Sequence, residues 1–262
     1  MVTDLPERQK LVQAFIDEHV LRHAADGRTW NLPFLHVPFL DWLRYDAGML
    51  VAAILLVVLL ACRAARRHSP APSGLANAVE AYVVFIRDQI AIANLGDEEG
   101  RRLTSYFCSL FLFVLALNLL GLVPFNVAAT GSISVTCALA GMFLLLTVAI
   151  GLVRRGPIGF FKAFVPAGAP RPILPLLVPV EVVSLLARAF ALMVRLFANM
   201  LAGHILVLAF LGLAVLYTFL SLPLVLLVVA LLFFELFVAI FQAYIFTLLS
   251  AIFMGLVINP EH

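Results

Sequence analysis

Charged side chains are scarce in this chain. Only 12% of its 262 residues are Asp, Glu, Lys or Arg, while 64% are hydrophobic, and a water-soluble domain carries roughly twice that charge. The shortage is sharpest from Leu103 through Val180, where no Asp or Glu occurs. Cysteine is nearly absent too: Cys62, Cys108 and Cys137 lie scattered within or beside apolar runs, with no metal-ligand spacing. No phosphate-binding glycine loop, dinucleotide fingerprint, HExxH pattern or nucleophile elbow occurs. No cofactor and no metal site is therefore expected. The net charge of +2 is too small to suggest nucleic acid as a partner. The first apolar run begins only near Ala47, after a charged stretch, unlike a cleavable signal peptide.

What the chain does have is apolar length, with a mean hydropathy of +1.10. The expected fold is an all-α integral membrane protein with about five membrane helices and one interfacial helix. Residues 1–46 form a polar N-terminal segment, placed outside, with a short amphipathic helix around Glu7 to His23. The membrane domain covers 47–262. Ala47 to Cys62 reads as a first span, and Arg63, Arg66, Arg67 and His68 hold its far end in the cytoplasm. Leu75 to Asn94 reads as an interfacial helix of mixed charge. A second span runs from about Leu103 to Val123 and a third from about Ile133 to Val153, ending at Arg154 and Arg155 on the cytoplasmic side. Six prolines and three glycines between Gly156 and Pro179 suit a surface or re-entrant connection.

Two very long apolar helices follow, about Val180 to Leu216 and Leu222 to Val257. At about 1.5 Å per residue each exceeds the roughly 30 Å of hydrocarbon, so both must tilt strongly or run partly along the membrane. Tyr217, Thr218 and Ser221 mark an external turn between them, and the C-terminus ends in the cytoplasm.

The informative residues are the few polar ones on these two helices. Glu181, Ser184, Arg188, Arg195 and Asn199 project within about 60° of one another at about 100° per residue, as one polar stripe. Arg195 keeps its charge at any physiological pH, and holding it at membrane depth costs on the order of 3 kcal/mol or more, which makes it a functional residue by default. Glu235 and Gln242 share a face of the second long helix. Folding the pair as a hairpin sets residues equidistant from the turn at equal depth. Arg195 then faces Gln242 near mid-membrane, His204 and Glu235 lie together closer to the outside, and Glu181 lies nearest the cytoplasm.

Glutamate and histidine exchange protons, so His204 with Glu235 forms a candidate outer relay and Glu181 an inner one. Arg195 cannot release its proton and stands between them as a barrier or as counter-ion to a mobile carboxylate. The chain supplies two half-paths and no through-path, so a partner must supply the carrier. Plainer readings stand beside these. Arg188 can snorkel to the interface, Ser184 can bond its own backbone, and Asn199 can bridge helices.

The segment FVPAGAPRPILPLLVPVEVVSLLARAFALMVRLFANMLAGHILV, followed by FELFVAIFQAYIFTLLSAIFM, strongly resembles subunit a of the F-type ATP synthase. NLLGLVPF and TGSISVT extend the likeness back to about Leu117. The resemblance implies a membrane stator whose long hairpin packs against a ring of c-subunits, with peripheral-stalk b subunits and the rest of the synthase as partners. It implies that Arg195 faces the ring carboxylate and blocks a proton short circuit. It places His204, Glu235 and Asn118 on the outer proton path, Glu181 and Ser184 on the inner one, and Asn199 and Gln242 beside the arginine. A bacterial inner membrane is the expected location, with an organellar membrane as the alternative. The chain departs from many members at Arg188-Ala189-Phe190-Ala191, where a proline and a serine are common, and at Gly121 and Asn126, where some carry acids. Two competing readings are a stand-alone transporter, which needs a path within one chain, and a haem-bearing respiratory subunit, which needs paired histidines inside spans.

Overall fold

The computed structural model describes residues 50–58, 74–122, 129–163 and 174–258, with Lys10, Gln13 and Ala14 besides. Residues 50–58, within the expected first span, are helical. The remainder of that span, the basic cluster after it and nearly all of the N-terminal segment lie outside the described residues. So do 123–128, with Asn126 among them, 164–173 and 259–262.

Helix α1, Leu75–Phe85, continues into a π-helical stretch, Ile86–Ile92, and a closing turn, Ala93–Leu95. The sequence reading expected one interfacial helix over Leu75 to Asn94. Gly96 (φ 83°, ψ 171°) then reverses the chain in a conformation that only glycine adopts without strain, and α2, Asp97–Gly121, begins at once. Asp97, Glu98 and Glu99 fill its first turn, where negative charge complements the helix dipole. A Cβ on Gly100 would sit 2.6 Å from the Cα of Ile92, so only a bare backbone lets α2 start against the end of the π stretch. The Tyr82 hydroxyl donates to the Cys108 carbonyl at 2.7 Å and ties α1 to α2.

After a 3₁₀ turn, Ala129–Gly131, comes α3, Ile133–Ala163, broken at Gly156 (φ 69°) just before Pro157. Helix α4 spans Leu174–Leu216 and, after the 3₁₀ turn Thr218–Leu220, α5 spans Ser221–Ile258. Helix α4 therefore starts six residues before the expected Val180, with Pro179 inside it. Pro175 stands in the first turn, where a missing N–H leaves no bond unmade, and Pro179 removes only one ladder bond.

Four described helices are long and apolar enough to cross a membrane: Asp97–Gly121, Ile133–Gly156, Leu176–Leu216 and Ser221–Ile258. In hydrocarbon a chain must satisfy its backbone internally, which is why these runs become helices.

Helices α4 and α5 pack along each other as a hairpin, α3 touches both, and α2 touches α5. Lipid tails are as apolar as leucine, so close packing rather than water exclusion holds such helices together. Helix α5 shows how. Its small residues Ala239, Ala243, Thr247, Ser250, Ala251 and Gly255 are buried, while Phe233, Phe234, Phe237 and Phe241 face outward. Phe246 of α5 lies in one core with Leu192 and Leu196 of α4, Val114 and Leu117 of α2 and Phe143 of α3. At the other end Ile86 and Ile90 of the π stretch are buried with Phe107, Ala251 and Met254.

Arg154 of α3 pairs with Glu99 of α2 at 2.9 Å. Arg155 donates through Nε and Nη2 to the Ile258 carbonyl at the end of α5. The start of α2 and the ends of α3 and α5 thus meet on one side. Arg101, Arg102, Arg154 and Arg155 gather on that side, the one the sequence reading expects in the cytoplasm.

Candidate functional site

The hairpin decides where the polar groups of α4 and α5 meet. The Asn199 side-chain amide donates to Gln242 Oε1 at 3.0 Å. Gln242 is 3% exposed, so this bond joins the two helices inside their seam. The sequence reading placed Arg195 opposite Gln242. In the structure the direct partner is Asn199, one turn further out, and Arg195 projects from α4 uncovered by the chain. Among the described residues Arg195 has no carboxylate within ion-pair distance.

One step further out, the Glu235 carboxylate lies against the backbone of Gly203. A Cβ built there would fall onto Glu235 Oε1. Gly203 precedes His204, so His204 and Glu235 sit at matched depth as expected. They do not bond each other. The His204 ring is tied through Nδ1 to the Met200 carbonyl at 3.1 Å. With Nδ1 carrying the hydrogen of that bond, Nε2 is the nitrogen left to accept a proton. Glu235 Oε1 is buried without a hydrogen-bond partner.

Helix α2 completes the outer group. Asn118, 2% exposed, donates from Nδ2 to the Ala239 carbonyl at 3.3 Å. Its Oδ1 and Gln242 Nε2 are both buried and unpartnered. Asn118, Glu235, Gln242 and Asn199 line one cavity of about 20 Å³, walled on its apolar side by Leu196, Met200 and Val238. That volume is on the order of one water molecule, and a water needs two to four polar partners. Asn118, Glu235 and Gln242 all line the cavity, and each carries a buried polar atom without a partner. The arrangement can accept a proton, hold it and hand it on.

The inner residues lie apart from this group. Glu181 and Ser184 are half-buried on the first third of α4, and Arg188 lies between them and Arg195. The Arg188 guanidinium stands 5.1 Å from the centre of the Phe253 ring. Among the described residues no group of three or more His, Cys, Asp or Glu could hold a metal ion.

Sequence reasoning missed Gly203 and Phe253. A glycine in a long apolar helix, at the depth of a glutamate on the facing helix, was the available signal for the first. One phenylalanine among 22 gave no signal for the second.

The family model described as ATP synthase A chain matches residues 47–255. An ATP synthase subunit a of Anaeromyxobacter dehalogenans (strain 2CP-C) is 43% identical over 91% of this chain and 67% of its own length. The subunit a of Anaeromyxobacter sp. (strain Fw109-5) is 42% identical over 80% of this chain and 52% of its own. That of Myxococcus xanthus (strain DK1622) is 41% identical over 84% and 73%. The chain thus spans between about half and three quarters of the length of these relatives.

Proposed function

The chain belongs to the ATP synthase A chain family, and on that premise we propose that it is the proton-translocating membrane stator of an F-type ATP synthase in a bacterial inner membrane. Its partners in this reading are a ring of c-subunits, peripheral-stalk b subunits and the remaining synthase. The chain binds no nucleotide itself.

A proton arriving from outside passes Asn118, is taken by His204 Nε2 or the Glu235 carboxylate, and crosses the small cavity beside Gln242 to a carboxylate on the ring. The ring turns its neutralised site through lipid. The site comes round to the inner path beside Glu181 and Ser184 and releases its proton to the cytoplasm. Arg195 then faces the ionised carboxylate. Its permanent charge stabilises that form, and it cannot relay a proton across the gap. Each proton must therefore travel with the ring, and rotation is coupled to flow.

One observation carries this reading: Glu235, Asn118 and Gln242, each with an unpartnered buried polar atom, line one cavity outward of Arg195. Glu181 lies on the other side of that arginine. A stand-alone channel would need exchangeable groups bridging the two. Between the levels of Glu235 and Glu181, α4 and α5 offer only amides, hydroxyls, a buried-side tyrosine and two arginines.

The test is reconstitution. Vesicles holding the purified chain alone are expected to show no proton flux above chain-free vesicles under an imposed gradient. Vesicles holding the whole complex acidify on ATP addition. Specific flux through the isolated chain would overturn the stator reading.

A further inference from the structure

Arg188 is the other arginine of α4. It lies seven residues before Arg195, about 10.5 Å nearer the cytoplasm and about 20° from it around the helix. It is half-buried, and no described carboxylate pairs with it. Its guanidinium is instead held over the Phe253 ring of α5 at 5.1 Å, within the range of a cation–π contact. Phe253 is backed by Phe143 of α3, with ring centres 6.2 Å apart. Three helices converge on this one charge. A snorkelling arginine reaches for interface water, whereas this one is docked on an aromatic face within the helix seam.

The placement makes the two half-paths electrostatically unequal. Outward of Arg195 stand His204, Glu235 and three amides, with no arginine or lysine on α4 or α5. Inward stands Arg188. The titratable groups on the neighbouring elements are few. On α3, Arg154 pairs with Glu99 and Arg155 bonds the Ile258 carbonyl, both at the cytoplasmic end, where Lys162 also falls in the helix, and Cys137 lies near the outer end. On α5, Glu235 is in the outer half and Tyr244 stacks on Phe85 at 6.1 Å. Tyr217 lies at the outer connector, and the 3₁₀ turn Ala129–Gly131 has no titratable side chain. On α4 itself the remaining groups are Glu181, Arg195 and His204.

We propose that Arg188, held on the Phe253 ring, is a positioning residue of the inner exit: it presents a fixed positive charge to the ring carboxylate on the cytoplasmic side of Arg195 and favours release of the proton there. In that step the carboxyl O–H bond breaks, its electron pair stays on the carboxylate, and the proton passes to Glu181 or water beside it. This rests on the stator reading above.

The experiment uses the assembled complex in inverted vesicles, where the cytoplasmic side faces the medium. ATP synthesis is measured against medium pH at a held proton-motive force. Removing the cation strengthens proton binding at the exit, so acid should block release at a higher pH. In Arg188→Gln the acid limb is expected to move up by about half to one pH unit, as a charge roughly 10 Å away would produce. Arg188→Lys recovers most of that shift. Phe253→Leu, which keeps every charge, moves the limb the same way, and the double variant moves it no further than Arg188→Gln alone. An unmoved limb in Arg188→Gln and Phe253→Leu at normal complex levels overturns the proposal, as do fully additive shifts. Arg195→Ala is the control. Lost coupling there with an unmoved Arg188 limb removes this proposal and leaves the stator reading standing, whereas retained coupling removes the stator reading.

Discussion

The carboxylate of Glu235 occupies the space that a side chain on Gly203 would need. A Cβ there would fall onto Oε1 and come within 2.7 Å of Cδ. The notch brings an acid of α5 against the backbone of α4, one residue from His204. It also leaves Oε1 buried and free to take a proton.

Gly203→Ala is therefore expected to push the carboxylate out of register with His204 and the cavity. Misplacing a reacting group by about 1 Å costs up to roughly a hundredfold in rate, so proton-driven ATP synthesis should fall at least several-fold. Glu235→Asp, shorter by one methylene, should restore part of the loss when combined with Gly203→Ala. Measuring both variants at equal complex levels checks this. Wild-type rates in Gly203→Ala would show that the notch does not matter.

His204 and Glu235 share a level without bonding each other. Exchanging them, as His204→Glu with Glu235→His, keeps both proton-binding chemistries at that depth. The exchange is expected to retain more ATP-driven pumping than His204→Ala or Glu235→Ala. Equal loss in all three variants would argue that the residues act separately.

Much of this was legible in the sequence because lipid leaves few choices. A long apolar run at membrane depth must be helical, and a polar side chain on it must be there for a reason. The stripe from Glu181 to Asn199 and the connector at Tyr217 to Ser221 follow from periodicity and turn chemistry alone. What failed was finer. Gln242 meets Asn199 rather than Arg195, a slip of one turn that depends on how the hairpin helices cross. The start of α4 at Leu174 ran past two prolines because a helix tolerates proline near its beginning. The π-helical stretch Ile86–Ile92 has no composition of its own. Gly203 and Phe253 matter only through the helix each one faces, and one strand of sequence cannot display that.

Arg195 is an uncovered charge between Glu181 on one side and His204 with Glu235 on the other. The most direct measurement is ATP-driven proton pumping by complexes carrying Arg195→Ala, assembled to normal levels in vesicles. Gating by Arg195 predicts that pumping is lost, with ATP hydrolysis no longer able to build a proton gradient. Pumping at the wild-type proton yield per ATP would contradict it.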